Sequence, residues 1–180
     1  GRDRYELTLT NKEVRIMFET MIHQWFRQSV GEYNGFIKAL LLGNCKEMNA
    51  YMNRIALATF SYFDSGNRPS GAEPERFYHG FVLGLIIELA DKYNITSNRE
   101  SGFGRYDVML EPQKKDDFAI IMEFKVRDEK EEASLEDTAK EALKQIERQQ
   151  YSTALKAKGI PAAQIRNYGF AFEGKKVLIG

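Results

Sequence analysis

The sequence is poor in cysteine. A single cysteine, Cys45, occurs among 180 residues. One thiol cannot form an intramolecular disulfide framework, nor can it supply the several cysteines of a cysteine-based zinc site. This usage is typical of a protein kept in a reducing compartment, so we expect a cytoplasmic location.

Long hydrophobic runs are also missing. The most apolar stretch, 81–90, is interrupted by Gly84 and Glu88. A membrane-spanning helix needs roughly 18 or more consecutive, predominantly apolar residues. We therefore predict no membrane span and no membrane partner.

The chain has no excess of charge of either sign. Its 26 lysines and arginines balance 26 aspartates and glutamates, which gives a formal net charge of zero. Such a protein has no overall positive field to attract nucleic acid. Any site for a polyanion must therefore be a local patch.

Hydrophobic periodicity divides the chain into two parts. Over 11–63, apolar residues recur at spacings of three and four, which predicts three short helices. The stretch 64–71 is rich in turn residues and has no periodicity. We predict a helical N-terminal subdomain over 1–65 and a second domain over 66–180.

The second part alternates between helix and strand patterns. The sequence predicts a helix over 75–93, a hairpin and further strands, a long helix, and two final strands. The strands are expected at 93–97, 105–111, 118–126, 168–173 and 175–179, and the long helix from Ser134 to about Lys158. The order α, β, β, β, α, β, β predicts an α/β domain.

Two neighbouring strands carry the residues best suited to chemistry. If they pair about Lys115, Asp107 lies directly across from Glu123, with side-chain roots about 5 Å apart. Like charges in that position destabilise a sheet, and a shared divalent cation is the simplest reason to keep them. Lys125 could then orient a water or neutralise a charged intermediate. Strand alternation predicts a shared face for Arg105, Asp107 and Met109, and for Ile121, Glu123 and Lys125.

A plainer interpretation is that these ionisable residues form the solvent-facing side of the sheet. Such residues are common there, but the approach to Asp107 contains Gly102 and Gly104. Two glycines permit a close backbone approach or a positive φ, and a solvated face requires neither. We therefore favour a functional site.

Several segments resemble the PD-(D/E)XK nuclease superfamily. These are 77–81 (FYHGF), 97–107 (SNRESGFGRYD), 121–125 (IMEFK) and 142–146 (ALKQI). Together they are similar to the nuclease-like domain found C-terminal to AAA-ATPase-like modules in many bacterial proteins. The similarity covers about 73–179. Tyr106 stands where the superfamily name has proline, and this difference removes no ligand.

The resemblance implies a restriction-endonuclease-like core, with a mixed central β-sheet flanked by helices, beside the helical N-terminal subdomain. It further implies a nuclease that hydrolyses phosphodiesters with Mg²⁺ or Mn²⁺. Asp107 and Glu123 would bind the metal, and Lys125 would position the attacking water. Gln145 would contact the scissile phosphate or Lys125.

Six further residues are candidates for auxiliary roles. Glu100 and Glu75 are possible additional metal ligands, and the others are His79, Arg105, Gln149 and Tyr151. Structural roles are open alternatives for several of them. Glu75 could be a first-turn carboxylate that is stabilised by the helix dipole. His79 could be a hydrogen-bonded core residue, and Arg105 could pair with Glu100.

The implied partners are nucleic acid, with DNA favoured, and an N-terminal AAA-ATPase-like module in the full-length protein. A homodimer is a further option. The main alternative function is a catalytically silent nuclease fold that acts as a binding or regulatory module, which the zero net charge favours. A metal-dependent hydrolase of small substrates is a weaker third option.

Overall fold

The structure, a computed structural model, describes residues 30–59 and 73–180, and within them the side chains of 35–58 and 77–180. The chain divides into two compact units, Gly1–Asn34 and Gly35–Gly180, and the sheet belongs to the second. The first of the three helices expected over 11–63 and the boundary expected near residue 65 lie outside the described residues, so both remain predictions.

The described elements follow the predicted order of the second part. The α-helices are α1 (Val30–Leu42), α2 (Cys45–Thr59), α3 (Glu73–Ile86), α4 (Leu135–Arg148) and α5 (Thr153–Ala157). The strands are β1 (Tyr93–Ser101), β2 (Gly104–Pro112), β3 (Ala119–Val126), β4 (Ile165–Glu173) and β5 (Lys176–Ile179). Short 3-10 helices span Ile87–Asp91 and Ala162–Gln164. None of the described helices is long and apolar enough to cross a membrane.

The five strands form one mixed sheet in the order β1-β2-β3-β4-β5. All neighbours are antiparallel except β3 and β4, which are parallel and joined by the α4–α5 crossover. The predicted pairing of β2 with β3 about Lys115 is confirmed. Val108 pairs with Met122, and Leu110 pairs with Ile120.

Helix α4 covers one face of the sheet. Ser134 caps this helix by accepting a hydrogen bond from the Asp137 backbone N–H, at 3.3 Å. The helix lies so close to β4 that a Cβ on Gly169 would be 2.4 Å from the Ala139 carbonyl oxygen. Gly169 of β4 is the strand partner of Glu123 of β3. This contact therefore fixes the distance between α4 and the sheet beside Glu123.

The other face is packed with aromatic rings. Tyr78 of α3 stacks on Phe172, with ring centroids 3.8 Å apart. Phe124 of β3 lies edge-on to Phe170, at 5.1 Å. Helix α1 joins this face, because the Tyr168 hydroxyl donates to the Leu40 carbonyl oxygen at 2.7 Å. The sheet is therefore covered by helices on both faces.

Two asparagines of α2 bind the outer edge of β5. The Asn53 side chain accepts from the Val177 N–H at 3.0 Å and donates to the Val177 carbonyl at 2.7 Å. Asn49 makes the same pair of bonds with Ile179, at 2.7 and 2.9 Å. Each amide side chain thus replaces the peptide group of a missing neighbouring strand.

Two predicted helices end earlier than expected. Helix α3 stops at Ile86 and continues only as a 3-10 turn. The prediction of one continuous helix to about Lys158 is wrong, because the segment forms two helices: α4 ends at Arg148 and α5 begins at Thr153. Gln150 has a φ of +52° between them, and this left-handed residue ends the helix.

Candidate active site

The pairing of β1 with β2 is irregular at Asp107. The flanking pairs are Ser97 with Val108 and Arg99 with Tyr106, while Asn98, which stands opposite Asp107, has a φ of +52°. Asparagine is one of the few residues that tolerate this backbone conformation. The side-chain alternation of both strands is interrupted at this point.

The interruption changes which residues share a face of β2. Tyr106 and Met109 belong to one core cluster beneath α4 and α5. In a regular strand, residues three apart lie on opposite faces. The prediction that Arg105, Asp107 and Met109 share a face is therefore wrong, because alternation from Tyr106 puts Arg105 on the opposite face from Met109.

Asp107 points its carboxylate sideways toward β3. Its Oδ2 accepts a hydrogen bond from the Phe124 backbone N–H at 2.8 Å. Backbone pairing of β2 with β3 extends only to Val108, and the Asp107 side chain satisfies the next amide. The carboxylate is thereby fixed beside the peptide group that follows Glu123.

Glu123 lies in the interior on the α4 side, with only 3% of its surface exposed. Its Oε1 accepts a hydrogen bond from the Gln145 side-chain amide. The same Nε2 atom lies 3.3 Å from the Tyr151 hydroxyl oxygen. Gln145 of α4 therefore links the carboxylate of β3 to a tyrosine beyond the end of the helix.

The geometry limits what Gln145 can do next. Its Nε2 carries two protons, and both are directed at Glu123 and Tyr151. The remaining polar atom, Oε1, is an acceptor. It can accept a hydrogen bond from an ammonium group or a water, whereas an ionised phosphate oxygen has no hydrogen to donate to it. This arrangement favours contact with Lys125 or a water over direct contact with a phosphate.

Burial raises the pKa of the Asp107 carboxyl above its ordinary value. The Phe124 amide and the positive charge of Lys125 act in the opposite direction but more weakly. Lys125 is half-buried on β3. A cation close to this carboxylate therefore favours its charged form, and Lys125 alone does not offset the burial.

The Tyr151 hydroxyl shares the same low-dielectric environment. Burial raises the pKa of this phenol, and the charges of Glu123 and Asp107 raise it further, against lowering by Gln145 and Arg148. The phenol thus remains protonated at neutral pH. The predicted long helix would have included Tyr151. Instead, Tyr151 follows the left-handed Gln150 and packs against Tyr106.

Glu100 and Arg105 oppose each other near the outer end of the β1–β2 hairpin, and both are exposed. Arg105 precedes Asp107 by two residues on β2. Among the residues that the structure describes, no group of three histidine, cysteine, aspartate or glutamate side chains is arranged to hold a metal ion. The acidic set that the structure brings together is Asp107 and Glu123.

His79 lies on the aromatic face of the sheet. Its Nε2 is 2.9 Å from the Ser97 hydroxyl, and its ring lies 5.6 Å from that of Phe124. Glu123 faces α4, so the sheet separates it from His79. The backbone of Glu75 lies in α3, but its side chain lies outside the described residues.

The two glycines before Asp107 serve packing. A Cβ on Gly102, whose φ is +63°, would lie 2.2 Å from the Gln149 carbonyl oxygen. A Cβ on Gly104 would lie 3.1 Å from Gln149 Oε1 and 3.2 Å from the Tyr151 ring. Gln149 thus holds the hairpin turn against the end of α4, and the glycines allow that approach.

We expect Gln145→Ala to destabilise the protein by about 1.5–3 kcal/mol at neutral pH, because a buried carboxylate loses a hydrogen-bond donor. Urea unfolding measures the effect. Lys144→Ala is the matched control, since this neighbouring side chain is 69% exposed and makes only a 3.8 Å ion pair with Glu141. The control should change stability by less than about 0.5 kcal/mol. Equal effects of both substitutions would show that the Gln145 bond contributes nothing.

One residue that shapes the site was not predicted. Asn98 supplies the left-handed residue opposite Asp107, and its Nδ2 lies 3.3 Å from the Ser97 hydroxyl. The tolerance of asparagine for positive φ is the only sequence feature that could have suggested this role. Asn98 lies between the predicted strands 93–97 and 105–111, where asparagine is common, so its presence there does not identify an interruption of strand pairing.

A five-stranded mixed sheet with helices on both faces is the architecture of a restriction-endonuclease-like fold. A family model of the PD-(D/E)XK nuclease superfamily matches residues 73–180, more than half of the chain, and the chain belongs to this superfamily. The resemblance noted in the sequence is thereby confirmed. No curated protein and no solved structure matches the chain significantly.

Proposed function

We propose that the protein is a metal-dependent nuclease that hydrolyses phosphodiester bonds of DNA at the site formed by Asp107, Glu123 and Lys125. The observation that carries the proposal is the Asp107–Phe124 hydrogen bond of 2.8 Å. It holds one carboxylate against the strand that bears the other carboxylate and the lysine. Membership of the superfamily supplies the reaction class.

The donor set fits a divalent cation. Nucleases of this superfamily generally use divalent metal ions. Mg²⁺ prefers oxygen ligands and is commonly bound by one or two carboxylates, with water and substrate oxygens completing the octahedron. Asp107 and Glu123 provide two carboxylates, and burial raises the pKa of Asp107, so a bound cation would relieve the cost of its charge. A bound Mg²⁺ or Mn²⁺ would supply Lewis-acid chemistry.

The remaining residues have supporting roles in this proposal. Lys125, one pleat beyond Glu123, would position the attacking water and stabilise negative charge on the reacting phosphate. Gln145 would hold the Glu123 carboxylate through its side-chain amide and offer Oε1 to Lys125 or the water. Tyr151 would orient Gln145. Glu100, His79 and Arg105 have no assigned role in this proposal, and Glu75 stays a candidate metal ligand whose side chain lies outside the described residues.

The proposal is tested by cleavage of labelled single- and double-stranded DNA and of RNA with Mg²⁺ or Mn²⁺. We expect cleavage that stops on chelation and falls at least about 100-fold in Lys125→Ala. Lys130→Ala is the control, because Lys130 is an exposed lysine in the loop after β3. Absence of turnover on every substrate with either metal would refute the proposal.

A catalytically silent binding module is the second candidate. It is favoured by the absence of a third metal-ligating side chain beside Asp107 and Glu123 within 35–58 and 77–180, where side chains are described. Calorimetric titration with Mn²⁺ separates the two. Metal binding that is lost in Asp107→Asn supports the nuclease. Absence of metal binding together with measurable binding of DNA supports the silent module.

We also propose the wider context that the resemblance implies. The full-length protein would carry an AAA-ATPase-like module N-terminal to the nuclease domain and act in the cytoplasm. Such a module could couple nucleotide hydrolysis to movement of nucleic acid toward the site. Sequencing of the gene upstream of the segment that encodes residue 1 tests this arrangement.

A further inference from the structure

The tip of the β1–β2 hairpin presents an exposed aromatic ring. Phe103 has 76% of its surface exposed, the largest exposed fraction among the described large hydrophobic side chains left at the surface. Burying a phenylalanine side chain contributes about 1.5–3 kcal/mol. Its exposure forgoes this gain and leaves the flat ring available for contact with a ligand.

The turn that carries Phe103 is firmly attached. The Phe103 N–H donates to the Gln149 carbonyl at 2.8 Å. The neighbouring Ser101 hydroxyl donates to the Tyr151 carbonyl at 2.7 Å, and Ser101 is itself buried, with 6% of its surface exposed. The ring is therefore displayed by a fixed turn whose backbone is packed on the end of α4.

Three arginines lie around the turn, two of them opposed by glutamates. Arg99 and Arg105 flank the turn on the two strands of the hairpin, and both are exposed. Arg148 lies at the end of α4, next to the residue that binds the turn, with its side chain 60% exposed. Glu100 and the Glu141 partner of Arg148 offset part of this charge. These three arginines and two glutamates together carry a net charge of +1, a small local excess on a protein of zero net charge.

The same strand leads from the ring to the proposed catalytic carboxylate. Phe103 and Asp107 are four residues apart, which corresponds to about 13 Å along a strand. Stacked nucleotides advance about 3.4 Å per residue along one strand, so the span equals about four nucleotides. A nucleic acid strand bound at Asp107 could therefore reach the ring.

We propose that Phe103 stacks on an unpaired base of the substrate, so that the protein acts on nucleic acid with a single-stranded stretch a few nucleotides from the cleaved bond. The inference rests on the proposed nuclease function and names its substrate class. Base faces are covered within a duplex, whereas unpaired bases stack on exposed aromatic rings. The flanking arginines contact the phosphates on either side.

The test measures binding separately from cleavage. Affinities for an oligothymidylate and for a duplex of equal length are determined by fluorescence anisotropy in EDTA, where a metal-dependent enzyme does not cut. Phe103→Ala should weaken binding of the single strand about tenfold, and duplex binding by less than about twofold. Phe103→Leu keeps apolar surface without a π face and should weaken binding nearly as much, while Phe103→Trp should retain it.

Ile87→Ala is the matched control. Ile87 is 61% exposed and precedes the opposite end of β1, so its substitution removes a similar apolar surface far from the turn. It should leave both affinities unchanged. Equal binding by wild type and Phe103→Ala, full binding by Phe103→Leu, or no binding of any oligonucleotide by wild type would each overturn the inference.

The outcomes for cleavage are independent of this result. Cleavage by the wild type with unchanged binding in Phe103→Ala would overturn the stacking role and leave the nuclease proposal in place. Phe103-dependent binding without cleavage under any metal would support the stacking contact and refute the nuclease proposal.

Discussion

Asp107→Asn is expected to abolish metal-dependent cleavage and, in the absence of metal, to make the protein more stable at neutral pH. Asparagine keeps a side-chain oxygen that can accept from the Phe124 amide, so the local fold should persist. It removes the negative charge of the Asp107 carboxylate, which would bind the metal ion. Burial makes that charge unfavourable in the folded protein. We expect activity to fall at least about 100-fold.

The sign of the stability change follows from the direction of the pKa shift. Burial raises the pKa of Asp107 in the folded protein above its value in the unfolded chain. The folded state therefore binds this proton more tightly, and its stability declines as pH rises from the unfolded pKa through the folded pKa. The asparagine side chain of the variant does not titrate, so the difference between the two proteins should be largest above both pKa values.

Thermal unfolding in EDTA measures this prediction across pH. The variant should melt at a higher temperature than the wild type near neutral pH, and the two curves should converge as pH falls toward the ordinary range of aspartate. Asp128→Asn is the control, because Asp128 is exposed in the loop after β3. A less stable Asp107→Asn protein at neutral pH would contradict the burial of this charge.

Gly169→Ala is expected to cause a large loss of stability through a single added methyl group. The new Cβ would lie 2.4 Å from the Ala139 carbonyl oxygen and 3.1 Å from the Ala142 Cβ. Backbone atoms of α4 cannot move aside without lifting the helix from the sheet. Such overpacking costs about 1–3 kcal/mol, and each kcal/mol lowers Tm by roughly 2–4 °C for a chain of this size.

The same substitution should impair the site. Gly169 pairs with Glu123, and Gln145 reaches Glu123 from the helix that an alanine would displace. Urea unfolding and the cleavage assay measure the two effects. Gly80→Ala is the control, because Gly80 lies in α3 with no atom within 4 Å of the added Cβ. It should stabilise the protein by about 0.5–1 kcal/mol. A neutral Gly169→Ala would show that α4 is not held at this distance.

Local patterns in the sequence were sufficient for most of the second domain. The segment 118–126 is rich in β-forming residues and has the length of a strand rather than of a typical helix, and it forms β3. Ser134 and Asp137 supply the cap of α4 at the predicted residue. The register about Lys115, which was assumed for the hairpin, is the one that β2 and β3 adopt at 108–110 and 120–122.

Long-range contacts decide the features that were missed. The end of α4 at Arg148 depends on burial of Tyr151 against Tyr106 and on docking of the Gly102 turn on Gln149. None of these contacts is local in sequence, and residues 149–153 contain neither glycine nor proline. Likewise, the break at Asn98 redirects Asp107, and strict alternation cannot anticipate such a break.

The two asparagines of α2 that bind β5 limit how far the protein can be truncated from its N-terminal side. The superfamily match begins at residue 73, yet Asn49 and Asn53 satisfy the outermost strand from a helix that precedes it. A fragment limited to the match would expose a row of open peptide groups, which is a template for pairing with other chains. The segment recognised as a family is thus shorter than the segment that covers the edge of this sheet.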